Sequence, residues 1–98
     1  MAKITYKDIS GTSFYNTTIT TTVAELKKLM GDPYGNNNGE DKINFVWDCE
    51  TEDGDVFTIY DWKEYREISE DEFIEFHIGA ISKRISEQAK QEINEQRN

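Results

Sequence analysis

His77 is the only histidine in the chain, and its side chain is the one whose ordinary pKa suits proton transfer near neutrality. A carboxylate from Asp48 or Asp61 beside it could make a general base. Glu50, Glu52, Asp53 and Asp55 surround Gly54 in "ETEDGD", an oxygen-rich stretch of the kind that binds calcium. It lacks the ligand spacing and terminal glutamate of an EF-hand, and a hairpin turn explains the same letters. Asp48 and Asp61 are expected as diagonal neighbours on one face of a hairpin. Paired carboxylates serve glycosidases and two-metal sites, yet no other residue supports either chemistry here. Two solvated acids, with Lys63 as a counter-charge, account for them. Cys49 has no base marked beside it and is expected to be buried and unreactive. No glycine-rich phosphate loop, zinc-spaced Cys/His set or basic-aromatic nucleic-acid platform occurs. The reading is non-enzymatic: no catalytic residue, metal ligand or cofactor is assigned.

Charge is the strongest compositional signal. The 98 residues carry a net charge of −9. Residues 48–75 hold twelve acids against two bases, Lys63 and Arg66, for −10, and the remainder sums to +1. Such a segment repels nucleic acid and anionic membrane and attracts basic protein surfaces. The acidic binding surface is assigned to Asp48, Glu50, Asp61, Glu64, Glu67, Glu70, Asp71, Glu72 and Glu75. Acids that merely keep a small domain soluble are the plainer alternative. One cysteine excludes an internal disulfide and suits a reducing cytoplasm. No apolar run has the length of a membrane span.

The elements that must position these residues follow from pattern. Ile4 and Tyr6 alternate with polar residues, and Phe14–Thr20 is rich in β-branched residues, so a hairpin turning at Ser10-Gly11 is expected. Thr22-Val23-Ala24-Glu25 has the form of a capping box. Val23, Leu26, Leu29 and Met30 then share a helical face that Gly31 and Pro33 bring to an end. Tyr34–Gly39 (YGNNNG) reads as a flexible loop. Ile43–Thr51 and Val56–Trp62 flank Asp53-Gly54, a two-residue turn signal. That turn pairs Phe45 with Trp62, Trp47 with Tyr60 and Cys49 with Thr58, all on one side of the sheet. Phe73–Ile78 alternates as a last strand ended by Gly79. Ile81, Ile85, Ala89 and Ile93 recur every four residues on a final helix, which should lie on the sheet or on a partner. The order ββ-α-ββ-β-α describes a small α+β fold, an antiparallel sheet with helices packed on one face. Residues 1–94 form the single domain, and 95–98 a frayed tail.

"IYDWKEY" (59–65) and "EFHIG" (75–79), behind "NFVWDCETEDGDVF" (44–57), resemble short proteins encoded by bacteriophages and prophages. The resemblance covers about the middle third of the chain and brings no functional residue with it. It implies expression in the cytoplasm of a host bacterium. Three functions are weighed. In the first, the acidic segment engages a basic surface of a host protein, as an inhibitor or anti-defence factor that mimics nucleic-acid charge. In the second, the stripe Ile81, Ile85, Ala89 and Ile93 joins two copies of a structural or assembly protein into a homodimer. In the third, Trp47, Tyr60, Trp62 and His77 surround a small-ligand pocket.

Overall fold

In a computed structural model the described residues are 1–97. The elements are β1 (Lys3–Ile4), β2 (Ser13–Thr21), α1 (Val23–Met30), β3 (Val46–Glu50), β4 (Val56–Tyr60), β5 (Ile74–Ala80) and α2 (Lys83–Gln96). The five strands form one antiparallel sheet in the order β1-β3-β4-β5-β2. This is the α+β class and the element order expected from the pattern.

Helix α1 begins where its cap places it. The Thr22 hydroxyl accepts from the Glu25 N–H at 3.1 Å. The Glu25 carboxylate does not reach back in capping-box fashion; it accepts from the Thr21 hydroxyl and pairs with Arg97 at 2.8 Å. Gly31, at φ 98°, ends the helix and donates to Lys27 O. Val23, Leu26 and Met30 are buried. Helix α2 starts on Ser82, whose hydroxyl accepts from Ile85 N–H. Its residues Ile85, Ala89 and Ile93 are buried in the core with Ile19, Phe76 and Ile78 of the sheet. The stripe thus covers the chain's own sheet, and only Ile81 of the four remains exposed. Burying this face contributes about 1.5–3 kcal/mol for each isoleucine, so exposing it to build a dimer would cost the fold its second layer. Residues 95 and 96 belong to α2, and Gln96 accepts from the Ala2 N–H at 2.8 Å. The frayed tail is corrected to that extent; Asn98 lies outside the described residues.

Two pairings differ from expectation. The Ser10-Gly11 turn forms, with Gly11 at φ 85° and Thr12 N–H donating to Ile9 O. Its flanking strands do not pair, because β1 and β2 lie on opposite edges of the sheet. Residues 5–12 instead cross the sheet on the side away from the helices. Thr5 donates to Asp48 O, Lys7 reaches Gly54 O, and Ile9 and Thr12 arrive beside Thr58 and Gly79.

The second difference moves the site. The β3–β4 loop has three residues, not two. Gly54 N–H donates to Thr51 O and Thr51 N–H to Asp55 O, each at 2.9 Å. Gly54 has φ 85°, and Asp53 is not among the positive-φ residues. A type I turn followed by a left-handed glycine bulge is the three-residue hairpin solution, whereas the two-residue turn needs positive φ at both centres. The extra residue shifts the register by one, so Val46 pairs with Tyr60, Trp47 with Ile59 and Cys49 with Phe57. Side chains alternate along a strand, so a one-residue slip exchanges the faces. Trp47, Cys49, Phe57 and Ile59 face the helices and are fully buried, while Tyr60 faces the other way. The Trp47 indole packs edge-on against Phe76, and its N–H donates to Gly31 O at 2.9 Å, giving a buried polar atom its partner. Finally, β5 runs through Gly79 to Ala80 and does not stop at the glycine.

Candidate functional site

The helix-free side of the sheet carries Val46, Asp48, Thr58, Tyr60, His77, Gly79 and Phe14 in registered rows. Phe14 stacks on His77 with ring centroids 3.9 Å apart and planes within 9°. Trp62 lies on the His77 ring at 6.0 Å and 26°, and Tyr60 meets both edge-on, at 5.5 Å from His77 and 6.2 Å from Trp62. The lysines Lys42 and Lys63 stand over Trp62 at 5.8 and 5.6 Å, close enough for cation–π attraction. The result is an exposed aromatic platform, with Phe14 and Trp62 each 38% exposed. Of the pocket residues expected from sequence, Tyr60, Trp62 and His77 meet here. Trp47 is on the far side of the sheet, and Phe14 takes its place.

Partial burial lowers the His77 pKa, with Glu75 acting in the other direction. No carboxylate hydrogen-bonds to it among the described residues. Asp61 cannot serve it as a surface acid. Its side chain is buried, 1% exposed, and accepts from the backbone N–H of Asn44 at 2.9 Å and of Phe45 at 2.8 Å. The Asp48–Asp61 pair therefore does not exist as a surface feature, and Asp61 is a structural clamp on the entry to β3. Cys49 is buried as expected, and burial pushes its thiol pKa far upward, which leaves it inert.

The remaining acids do not form one belt. Glu50 accepts from Thr5 and pairs with Lys3 and Lys7; the Thr5 bond, then Lys7, lowers its pKa. Asp48 accepts from the Tyr34 hydroxyl at 2.9 Å. Glu70 pairs with Lys27, and Arg66 pairs with both Glu64 and Glu72. Around Gly54 the acids splay apart: Glu52 pairs with the N-terminal amine and Asp53 accepts from Gln88. The hairpin acids and the 61–73 loop also lie at opposite ends of β4. Only Glu67, Asp71 and Glu75 of the expected surface are exposed without an ion pair. The loop YGNNNG, read as flexible, is a lock. Asn37 exchanges two hydrogen bonds with the Ile68 backbone, and Asn44 donates to Arg66 O at 2.6 Å. A Cβ at Gly39 would come within 2.6 Å of the Arg66 backbone, so the close approach requires glycine.

Beside the platform lies a groove of about 310 Å³ bordered by Ile9, Tyr34, Ile43, Val46, Thr58 and Tyr60, with Gly79 on its floor. A larger hollow of about 730 Å³ lies on the outer face of α2 and has only polar and charged side chains around it. The groove is the concavity with apolar walls and few polar groups, the usual composition of a ligand site. Sequence reasoning missed Phe14 and Gly79. A glycine inside an alternating strand is the available signal, since it marks close approach of another group.

These features define a small α+β domain with one sheet face covered by helices and the other crossed in part by residues 5–12 and carrying the aromatic platform. Comparison with protein families, with curated proteins and with solved structures gave no match. The role must be argued from the open face itself.

Proposed function

We propose that the protein is a non-enzymatic binding protein that takes a small ligand in the groove on the helix-free face of its sheet. The observation that carries this is the groove itself, about 310 Å³ with apolar walls, beside four rings that the sheet holds towards solvent. A solvated face has no need of Phe14, Tyr60 and Trp62 together, and an exposed apolar cluster of this kind usually marks a contact site. Acid–base catalysis has less support, because His77 stacks on rings and lacks a carboxylate partner. The test is a ¹H–¹⁵N NMR screen of the intact chain against a mixed set of small ring compounds. The expected result is amide shifts at Val46, Thr58, Tyr60 and Gly79. Shifts absent from that face, or spread over the outer side of α2, would overturn the reading.

A second reading keeps the basic partner. Glu67, Asp71 and Glu75 are exposed without counter-ions, and the net charge of −9 favours a cationic surface over nucleic acid. In a phage setting this would be an inhibitor of a host protein, of the anti-defence type. Its affinity should fall steeply with salt and after Glu67→Ser with Asp71→Ser. Salt-independent capture of a partner would remove it.

A further inference from the structure

We infer that the aromatic platform is a self-association surface, on which a second copy of this chain docks about a two-fold axis. The inference goes beyond the ligand reading, which concerns the groove bordered by Val46 and Thr58.

The platform is held rigidly at one end of the sheet. Phe14 comes from β2, His77 from β5 and Trp62 from the chain after β4, yet the Phe14 and Trp62 rings both stack on His77. Lys63 has φ 56° and Tyr65 φ 51°, left-handed backbone that residues other than glycine rarely adopt. The Lys63 N–H donates to Lys42 O at 2.7 Å, which ties two loops together and sets both lysines at Trp62. Asn44 joins the same loops, through Asp61 on one side and Arg66 O on the other. Phe73, at the entry to β5 and 70% exposed, adds a further ring at this end, since Tyr60 at the close of β4 pairs with His77. Rings fixed in this way lose little freedom on docking, and aromatic residues are enriched at the centres of interfaces.

Charge selects the occupant. Neither Lys42 nor Lys63 makes an ion pair among the described residues, and contact with the Trp62 ring leaves their charge uncompensated. Glu75 is also without an ion pair there, and it leaves β5 on the same face as His77, near enough for its charge to act on that ring. The rings therefore sit among uncompensated charges of both signs. A uniformly basic partner would meet Lys42 and Lys63. A uniformly acidic one, or a nucleic acid, would meet Glu75 and the overall charge of −9. What fits is a ring-bearing surface with the two signs in exchanged places. A two-fold axis through the platform makes that surface from the same residues, because each contact from i to j then recurs from j to i. Lys42 and Lys63 of each copy face Glu75 of the other, with the Trp62 and Phe73 rings between them. The whole molecule exposes 5530 Å², and the usual tenth of that per copy falls below the about 800 Å² per partner of a standard interface. The dimer is of the weak class, with a Kd on the order of 10–100 µM.

Sedimentation velocity of the intact chain from about 10 µM to about 1 mM, at about 0.15 M salt, brackets that Kd and should show a monomer passing into a dimer. Two charge reversals test the pairing: Lys42→Glu together with Lys63→Glu in one chain, and Glu75→Lys in another. No ion pair of the fold uses these groups, so far-UV circular dichroism should match the parent. Each reversal should raise the Kd at least about tenfold, because like charges then face each other across the axis. Mixed in equal amounts, the two variants should form a dimer of about the parent affinity, since each supplies the charge that the other has lost. A merely structural role for these residues would produce no such recovery. A parent chain still monomeric at about 1 mM, assemblies that grow beyond two copies, reversals that leave self-association unchanged, or no recovery on mixing would each overturn the inference. None of these results bears on the groove, whose own screen decides the ligand reading.

Discussion

Replacing Gly79 by alanine tests the register and the groove floor together. Gly79 is not among the positive-φ residues, so its backbone accepts alanine and only space decides the outcome. The added Cβ would stand 2.7 Å from Thr58 Oγ1, 3.5 Å from a Tyr60 ring carbon and 3.6 Å from Ser13 O. The last two are ordinary contacts, and the first lies inside any real carbon–oxygen approach. The strain is therefore concentrated in one atom pair. Thr58 is 5% exposed and branched at Cβ, so it has few rotamers in which to withdraw its hydroxyl. Overpacking of this kind costs about 1–3 kcal/mol. Alanine recovers about 0.4–1 kcal/mol by restricting the unfolded chain. The net loss is about 1–2 kcal/mol. For a domain of this length that lowers Tm by about 4–16 °C, or shifts the urea midpoint of far-UV circular dichroism correspondingly. Thr58→Ala removes the offending oxygen. The double variant should then be about as stable as Thr58→Ala alone, a coupling of about 1–2 kcal/mol. Additive losses, or a Gly79→Ala chain as stable as the parent, would show that Thr58 does not face Gly79. The groove floor would fall with it.

Three further outcomes follow from the same geometry. The His77 pKa is lowered on folding by burial, so the unfolded chain takes up its proton first as pH falls. The stability tied to neutral His77 is complete above its unfolded value of about 6.5 and declines below it; urea midpoints taken between pH 7.5 and 5.5 should fall more for the parent than for His77→Gln. A parent that gains stability on acidification would mean that the faces of Phe14 and Trp62 favour the imidazolium more than burial opposes it. Asp61→Asn can keep an oxygen at Oδ1 for the Asn44 and Phe45 N–H groups, but it puts an amide N–H₂ at Oδ2 against the Asn44 N–H and removes the charge that strengthens these bonds. A loss of about 1.5–3 kcal/mol in denaturant unfolding is expected, and a neutral result would place the carboxylate in solvent. Tyr65 is an exposed, bulky residue at φ 51°. Tyr65→Gly should relieve left-handed strain of about 1–2 kcal/mol against a glycine entropy cost of about 0.5–1 kcal/mol. A measurable rise in Tm checks it, and a fall would assign the Tyr65 ring a packing role.

Much of the architecture is local and was therefore legible. The α1 cap, its glycine stop, the alternation of Ile74, Phe76 and Ile78 and the four-residue stripe of α2 are each decided within a turn or a strand. What failed depended on partners distant in the chain. Ser10-Gly11 does turn the backbone, but a turn does not oblige its flanks to pair, and β3 and β5 offered β1 and β2 separate edges. The three asparagines of 36–38 read as loop residues because their side-chain amides look free. Asn37 finds its partners at Ile68, across 31 residues, and no local pattern announces that.

The candidate site turns on a single residue of loop length. Read as a two-residue turn, Asp53-Gly54 sends Tyr60 to the same side as Trp47 and leaves Asp61 in water. Read as a three-residue turn with a glycine bulge, it sends Tyr60 and Thr58 to the open face and Phe57 and Ile59 to the core. Both turns accept the same letters, so the turn alone does not choose. Composition of the strands could have chosen. The shifted register places Trp47, Cys49, Phe57 and Ile59 on one face, and Val46, Asp48, Glu50, Thr58 and Tyr60 on the other. The two-residue register puts Phe57 and Ile59 beside Asp48 and Glu50, a face that asks for cover and water at once. Free energy resolves that conflict in one direction: burying Phe57 and Ile59 is worth about 1.5–3 kcal/mol each, against a glycine bulge that needs only the one residue able to adopt it without strain. The aromatic face is then a consequence of core formation, and Tyr60 and Thr58 are its registered products. Phe14, His77 and Trp62 join them from β2, from β5 and from the chain just after β4. That convergence of separate segments on a surface the core does not need is the feature that selection for folding alone leaves unexplained.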